Sequence, residues 1–335
     1  NSTIETLNKD QYRATLSVNQ LIYNGGTTEA SLNLKTAQLK TKQKQVEVSL
    51  NELKQQINQL YFSVLLSQKT ELLLNAKQEQ LQTKLNEVSS GIKYGILLPE
   101  SDKIIKAEIL KLKQQLIEVK SNKTTLVKTL SQLISQPLNT NTLFQNPIIE
   151  TQLNSDLKRP ELELFRLKKE EIEHNETLIS KQNSPKLLGF ATGGYGNPGL
   201  NMLDNSFQPF YIAGIKLNWN VFDWNSNKKQ RESLSIYKDI IDTESETFKL
   251  NINILLNQQR EEIEKIETFI ITDKEIIDLR KDVLKSSDSQ LKNGVITSSA
   301  YIAELTNLYE DENTLIRHKI QLQLAKANYN VIKGE

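Results

Sequence analysis

The chain has 335 residues, no cysteine, and 42 basic against 41 acidic residues, for a net charge of +1. That balance lacks the basic excess of a nucleic-acid binder, and the missing cysteines exclude disulfides, thiolate metal sites and a cysteine nucleophile. A mean hydropathy of −0.48 leaves no run near the ~18 apolar residues of a spanning helix, whereas a membrane β-barrel is this polar because only alternate residues meet lipid.

The first element is a strand over residues 11–23, in which Tyr12, Ala14, Leu16, Val18 and Ile22 alternate with Arg13, Thr15, Ser17 and Asn19. Alternation with a period of two describes a strand with one apolar and one polar face. Its length suits a tilted bilayer crossing of about 9–11 residues. Residues 28–89 follow, rich in Lys, Gln, Glu, Leu and Asn and free of breakers, with a coiled-coil-like seam at Leu50, Leu53, Ile57, Leu60 and Val64. Some 60 helical residues reach roughly 90 Å, so this helix must pack lengthwise against others. Gly91 to Pro99 breaks it, and a return helix runs over about 100–135.

A linker rich in Asn, Thr and Pro (136–159) leads to a helix over about 160–183, a strand over 185–196 and a loop over 197–208. The strand at 210–222 then repeats the first. Tyr211, Ala213, Ile215, Leu217, Trp219 and Val221 alternate with Gly214, Lys216, Asn218 and Asn220. A second hairpin follows over about 226–333, marked by Ile252, Leu255, Leu256, Ile263, Ile266 and Ile270 on its long helix and by Asn293-Gly294-Val295 at its break. The two series are offset by 199 positions. The fold class is therefore mainly α with a small membrane β-sheet, a tandem repeat of strand plus very long antiparallel helical hairpin. Repeat one covers 1–149 and repeat two 150–335. By the same offset, partners of the 160–183 helix and the 185–196 strand would precede Asn1. Asn1 also opens without a methionine, a basic segment or an apolar one. The expectation is a fragment lacking the first helix and strand of repeat one, with any signal peptide or lipid anchor upstream.

The strand-to-helix junctions, Ser17-Val18-Asn19-Gln20-Leu21-Ile22-Tyr23-Asn24-Gly25-Gly26 and Lys216-Leu217-Asn218-Trp219-Asn220-Val221-Phe222-Asp223-Trp224-Asn225, and the tip motifs Tyr94-Gly95-Ile96 and Asn293-Gly294-Val295 resemble those of the TolC-like outer-membrane factor family of efflux channels. The resemblance implies a homotrimer whose subunits each give four strands to one twelve-stranded barrel in the bacterial outer membrane. Its helices would continue as an α-barrel through the periplasm, partnered by a periplasmic adaptor and an inner-membrane pump. At the position of the family's latch Asp, six residues after the first tip glycine, stands Ser101, followed by Asp102. Where the second hairpin of the family carries Tyr, Arg and Asp residues, this chain has Leu291, Ile296, Ala300 and Ala303. No gating residue is carried over.

On this reading Arg13, Thr15, Ser17, Asn19, Lys216, Asn218 and Asn220 face the lumen, and Tyr12, Ala14, Leu16, Val18, Tyr211, Ala213, Ile215 and Leu217 face outer-membrane lipid. Tyr12, Tyr23, Tyr211, Trp219, Phe222 and Trp224 gather at strand ends as an interfacial girdle would. Gly25, Gly26 and Asp223 form the junctions, glycine supplying unusual φ/ψ and Asp a helix cap. The tips Tyr94, Gly95, Ile96 and Asn293, Gly294, Val295 would dock the adaptor. The alternative is a soluble coiled-coil scaffold with a half-exposed sheet, in which the aromatics are core residues and the tips only turns. No catalytic constellation and no cofactor is expected: His174 and His318 stand alone on their helices, and Gly193-Gly194-Tyr195-Gly196 lacks the Lys-Ser/Thr of a phosphate loop.

Overall fold

The computed structural model describes residues 9–151 and 156–335. Residues 1–8 and the stretch 152–155 of the predicted linker lie outside the described residues. The elements run β1 (Tyr12–Tyr23), α1 (Thr27–Lys93), α2 (Ser101–Leu133), α3 (Pro160–Gln182), β2 (Lys186–Asn197), β3 (Gln208–Asn218), α4 (Ser226–Lys292) and α5 (Ser298–Lys333). α1 and α4 are each 67 residues long, and their ends obey the repeat: Ser226 answers Thr27 and Lys292 answers Lys93. Both lengths follow from composition, since strong helix formers continue without proline until a glycine can end them.

The described chain forms two compact units, Asn1–Val46 with Glu161–Thr247 and Glu47–Pro160 with Phe248–Glu335. Each unit draws on both sequence repeats, so the repeats are intertwined rather than beads on a string.

The first unit holds an antiparallel sheet of order β1-β2-β3. β1 bulges around Ile22, where the register slips between Leu21 and Tyr23. The strand predicted to reach residue 222 ends at Asn218. Its partner β2 begins at Lys186, directly after Pro185, and Lys186 pairs with Asn218. Proline has no N–H to offer a ladder, so beyond Asn218 the third strand has nothing to pair with. Trp219, Asn220, Val221 and Phe222 therefore lie outside the strand.

The second unit is helical. Leu81 and Val88 of α1, Ile105, Ile109 and Leu112 of α2, Ile277, Leu284 and Leu291 of α4, and Tyr301, Ile302, Leu305 and Leu308 of α5 make one buried cluster. The predicted α1 seam is only partly the observed one: Val64 is fully buried but Leu50 is exposed. The buried stripe instead runs through Asn51, Leu65, Gln68, Lys77, Leu81, Lys84 and Val88, mixing polar with apolar residues. Residues 144–150 of the linker lie against this unit. The Gln68 side-chain amide accepts from Phe144 N (3.0 Å) and donates to Phe144 O (3.1 Å), Tyr61 Oη donates to Gln145 O (2.7 Å), and Asn330 Nδ2 donates to Glu150 O (3.0 Å). Phe144 and Ile149 pack into a second cluster with Phe62, Leu65, Ile320 and Ala327.

Candidate functional site: the uncovered sheet and the hairpin tips

In an antiparallel sheet, directly paired residues point to the same side. Leu16 pairs with Gly193 and Gly193 with Tyr211; Val18 pairs with Ala191 and Ala191 with Ala213. One face therefore collects Tyr12, Ala14, Leu16, Val18, Tyr195, Ala191, Leu187, Tyr211, Ala213, Ile215 and Leu217, with the uncharged polar Gln20 and Asn197 among them. The opposite face collects Arg13, Thr15, Ser17, Asn19, Thr192, Lys216 and Asn218, and the Ser17 and Thr192 hydroxyls meet there at 2.9 Å. The charges of the sheet are Arg13, Lys186 and Lys216, and by the register all three lie on this second face. The apolar face carries none. It is also bare: Leu16 is 77% exposed, Tyr211 85% and Ile215 69%. No helix covers either face among the described residues, and the outer edges of β1 and β3 have no strand partner there.

The polar face is not purely polar. Phe190 and Phe210 stand on it, each over the glycine that pairs with it. A Cβ on Gly214 would press on the Phe190 ring, and a Cβ on Gly194 on the Phe210 ring. The Arg13 guanidinium lies 5.2 Å from the Phe210 centroid. Phe190 does not stand out in the sequence because the strand at 185–196 alternates weakly: glycine interrupts its pattern.

The two strand-to-helix junctions use one backbone device. Gly25 and Gly26 have φ of +70° and +78°, and at the equivalent places Trp224 and Asn225 have φ of +54° and +63°. Two successive left-handed residues redirect the strand into the helix in both repeats, with glycine in one and without it in the other. Asp223 then caps α4. Its carboxylate accepts from Asn225 N (3.1 Å), Asn227 N (3.0 Å) and Asn183 Nδ2 (2.5 Å). The Asn227 N–H and the Asn183 amide hold its pKa below the usual carboxylate value. Asn220, predicted as a strand residue, instead donates to Asn183 Oδ1 at 3.4 Å and belongs to this junction.

The junction makes a graded prediction. Gly26→Ala meets nothing nearer than 3.8 Å and should cost only the left-handed backbone, about 1 kcal/mol. A Cβ at Gly25 would run into Ser184 Cβ and Pro185 O as well, so Gly25→Ala should cost at least about 2 kcal/mol. Asn225→Gly should stabilise by roughly 0.5 kcal/mol. Urea unfolding of the three variants checks the order.

At the hairpin tips, Gly95 (φ +73°) donates to Ile92 O (3.0 Å) and Ile96 N to Gly91 O (2.9 Å). Gly294 (φ +67°) donates to Leu291 O (3.0 Å) and Val295 N to Gln290 O (2.9 Å). Both are Schellman closures, with glycine at the left-handed position. The tips touch: the Ile96 carbonyl lies 3.1 Å from where a Gly294 Cβ would be. Tyr94, Ile96 and Val295 stand exposed around them, as does Asn293. Ser101, at the latch position, is buried, and Asp102 is paired with Lys106 at 2.6 Å.

Behind the tips lies a cluster that the sequence did not disclose. Lys84 is buried on α1, with its ammonium on Glu87 (2.5 Å) and Asp288, over the buried Tyr301 ring at 5.1 Å. One heptad earlier, buried Lys77 contacts Glu108 (3.2 Å) and Thr306 (3.4 Å) and lies 5.6 Å from the Tyr309 centroid. Burial alone would push the Lys84 ammonium down, but the Asp288 and Glu87 carboxylates outweigh it and its pKa stands above the ordinary lysine value. The same contest leaves Asp288 lowered: burial opposes its charge, and Lys292 and Lys84 prevail. Among the described residues no cluster of three or more His, Cys, Asp or Glu is placed to hold a metal, and no helix is long and apolar enough to cross a membrane.

No family model and no curated protein matches the sequence. Solved structures do match the fold. The outer membrane protein VceC of Vibrio cholerae superposes with a TM-score of 0.72 at 12% identity, over 97% of this chain and 87% of that one. The CmeC outer membrane channel of Campylobacter jejuni gives 0.72 at 12% over 97% and 77%, and the Neisseria gonorrhoeae MtrE outer membrane channel, in its open state, 0.72 at 12% over 98% and 81%. At such low identity what is shared is the fold, and this chain has the fold of these outer-membrane channel proteins.

Proposed function

We propose that the chain is one stave of a homotrimeric outer-membrane channel, a passive exit duct for solutes that an inner-membrane pump delivers through a periplasmic adaptor. The observation that carries this reading is the segregation of the sheet: an uncovered three-stranded sheet with every charge on one face and large bare apolar side chains on the other. A water-soluble monomer has no use for such a face. In a barrel wall it meets lipid, while Arg13, Thr15, Ser17, Asn19, Lys216 and Asn218 line water. From Tyr12 to Tyr23 is eleven residue steps, about 36 Å along the strand and about 28 Å across a bilayer at a tilt near 40°, which matches the hydrocarbon thickness of about 30 Å.

The three described strands, with two edges unpaired among the described residues, cannot shut out lipid alone, since each unpaired backbone group in hydrocarbon is costly. Further strands, from other copies or from chain beyond the described residues, must supply the neighbours. The helices carry a second sign of this. Leu32, Leu39 and Val46 on α1, Leu110 and Ile117 on α2, and Phe269, Ile276 and Val283 on α4 are exposed and seven residues apart, the repeat of a coiled-coil seam awaiting partners. Three as the number of copies is what the family resemblance implies, and so is docking of the adaptor on the Tyr94–Ile96 and Asn293–Val295 tips. A soluble scaffold would leave both the uncharged sheet face and the bare seams without a purpose.

The full chain, reconstituted into planar bilayers, is expected to give long-lived unit conductance steps, and its detergent-stable oligomer is expected to dissociate on heating. A freely soluble species without conductance would refute the proposal.

A further inference from the structure

We propose that the β2–β3 loop, residues 198–207, rests in the lipid surface with its apolar side chains immersed, extending the lipid contact of the sheet past its last ladder pair. The inference rests on the membrane reading above but goes beyond it, because loops that close barrel strands ordinarily stand in water.

Leu200, Met202, Leu203 and Phe207 are all exposed, Leu203 by 70%. Asp204 is the loop's one charge, and it is engaged: its carboxylate accepts from Ser206 N (3.0 Å) and Gln208 Nε2 (3.2 Å). Part of the backbone is likewise served from within. Arg13 donates to the carbonyls of Gly199 (3.1 Å) and Pro198 (3.4 Å), Leu203 N donates to Asn201 Oδ1 (3.1 Å), and Asp204 N to Asn201 O (3.2 Å). A loop in water can leave these groups to the solvent; a loop at a lipid boundary must satisfy them itself. The location follows from one contact. Phe207 stacks on Tyr195, with centroids 5.6 Å apart and planes 19° from parallel. Tyr195 pairs with Ala14 and Pro209, which puts it on the uncharged face. The loop's anchoring aromatic is thus continuous with the face proposed to meet lipid, while Arg13 ties the loop down from the polar side.

The occupant is therefore the acyl and headgroup boundary of a bilayer rather than a protein. The chain has no cysteine, so Leu203→Cys carries a single nitrobenzoxadiazole label in an otherwise native full chain, with Met202→Cys as a second site should the first not assemble. Ile215→Cys serves as the lipid reference and Tyr94→Cys as the aqueous one. In vesicles of brominated phosphatidylcholine, the label at 203 should lose emission as it does at 215 and resist aqueous iodide, the reverse of the label at 94. Iodide quenching at 203 with lipid quenching at 215 overturns the loop's immersion alone. Recovery of emission when labelled chains are diluted with unlabelled ones means that a second copy covers the loop, and overturns it too. Absence of lipid quenching at 215 overturns the membrane reading and this inference with it.

Discussion

Ala213→Arg is expected to destabilise the folded state in bilayers by about 2–4 kcal/mol, the cost of a basic residue on the lipid face of a barrel near the midplane. Ala213 sits in the middle row of the sheet, paired with Ala191, which pairs with Val18. Its side chain is exposed, so the introduced arginine meets no steric obstacle within the chain. The adjacent Ile212 points to the opposite face, beside Thr192 and Ser17, and it too is exposed. Ile212→Arg should therefore change stability by less than about 1 kcal/mol. Urea titration of heat-modifiability in vesicles gives both values. A soluble sheet would accept either arginine equally, so equal effects at 212 and 213 contradict the membrane reading.

Lys84→Ala is expected to cost about 3 kcal/mol, the lower end of the range for breaking a buried ion pair. The lower end applies because Asp288 keeps a second partner, Lys292 at 2.8 Å, and is itself partly exposed. Losing the lysine also removes the cation from the Tyr301 ring and leaves Glu87 and Asp288 beside the cluster of Leu81, Val88, Leu291 and Leu305. The pH dependence follows from the two directions. The raised Lys84 pKa means its contribution is complete below 10.5 and disappears only as pH climbs through the folded-state value above that. The lowered Asp288 pKa means its contribution is complete above 3.8 and fades as pH falls through the folded-state value below that. Between these limits the difference between native chain and variant should be constant, narrowing on the acid side. Unfolding of the two proteins across pH tests this, and a difference under about 1 kcal/mol at neutral pH would show the cluster to be idle.

The channel-like architecture was legible because it is written in periodicity. Alternation at Tyr12 to Asn19 and at Tyr211 to Asn218 marks strands that are observed, and the glycines at 95 and 294 sit at the left-handed positions where the helices turn. What sequence could not provide was partnership. The alternation carries the third strand to residue 222, four residues past its observed end at Asn218, because that end depends on Pro185, a residue of another strand's approach. Gln68 reads as one more polar position on a soluble-looking helix, yet it holds the Phe144 backbone by two hydrogen bonds. Lys77 and Lys84 read as solvated charges for the same reason. Their burial depends on carboxylates and rings from helices far along the chain, and no local pattern encodes that. Phe190 and Phe210 escaped because their role is defined by the glycines opposite them.

The two faces of β3 decide whether this sheet lines a bilayer. Single cysteines placed in turn from Tyr211 to Leu217, spin-labelled in the bilayer-reconstituted full chain, report access to oxygen from lipid and to a nickel chelate from water. Oxygen access should peak at Tyr211, Ala213, Ile215 and Leu217, and nickel access at Ile212, Gly214 and Lys216. Uniform access of the nickel chelate to all seven positions would mean that this sheet does not line a bilayer.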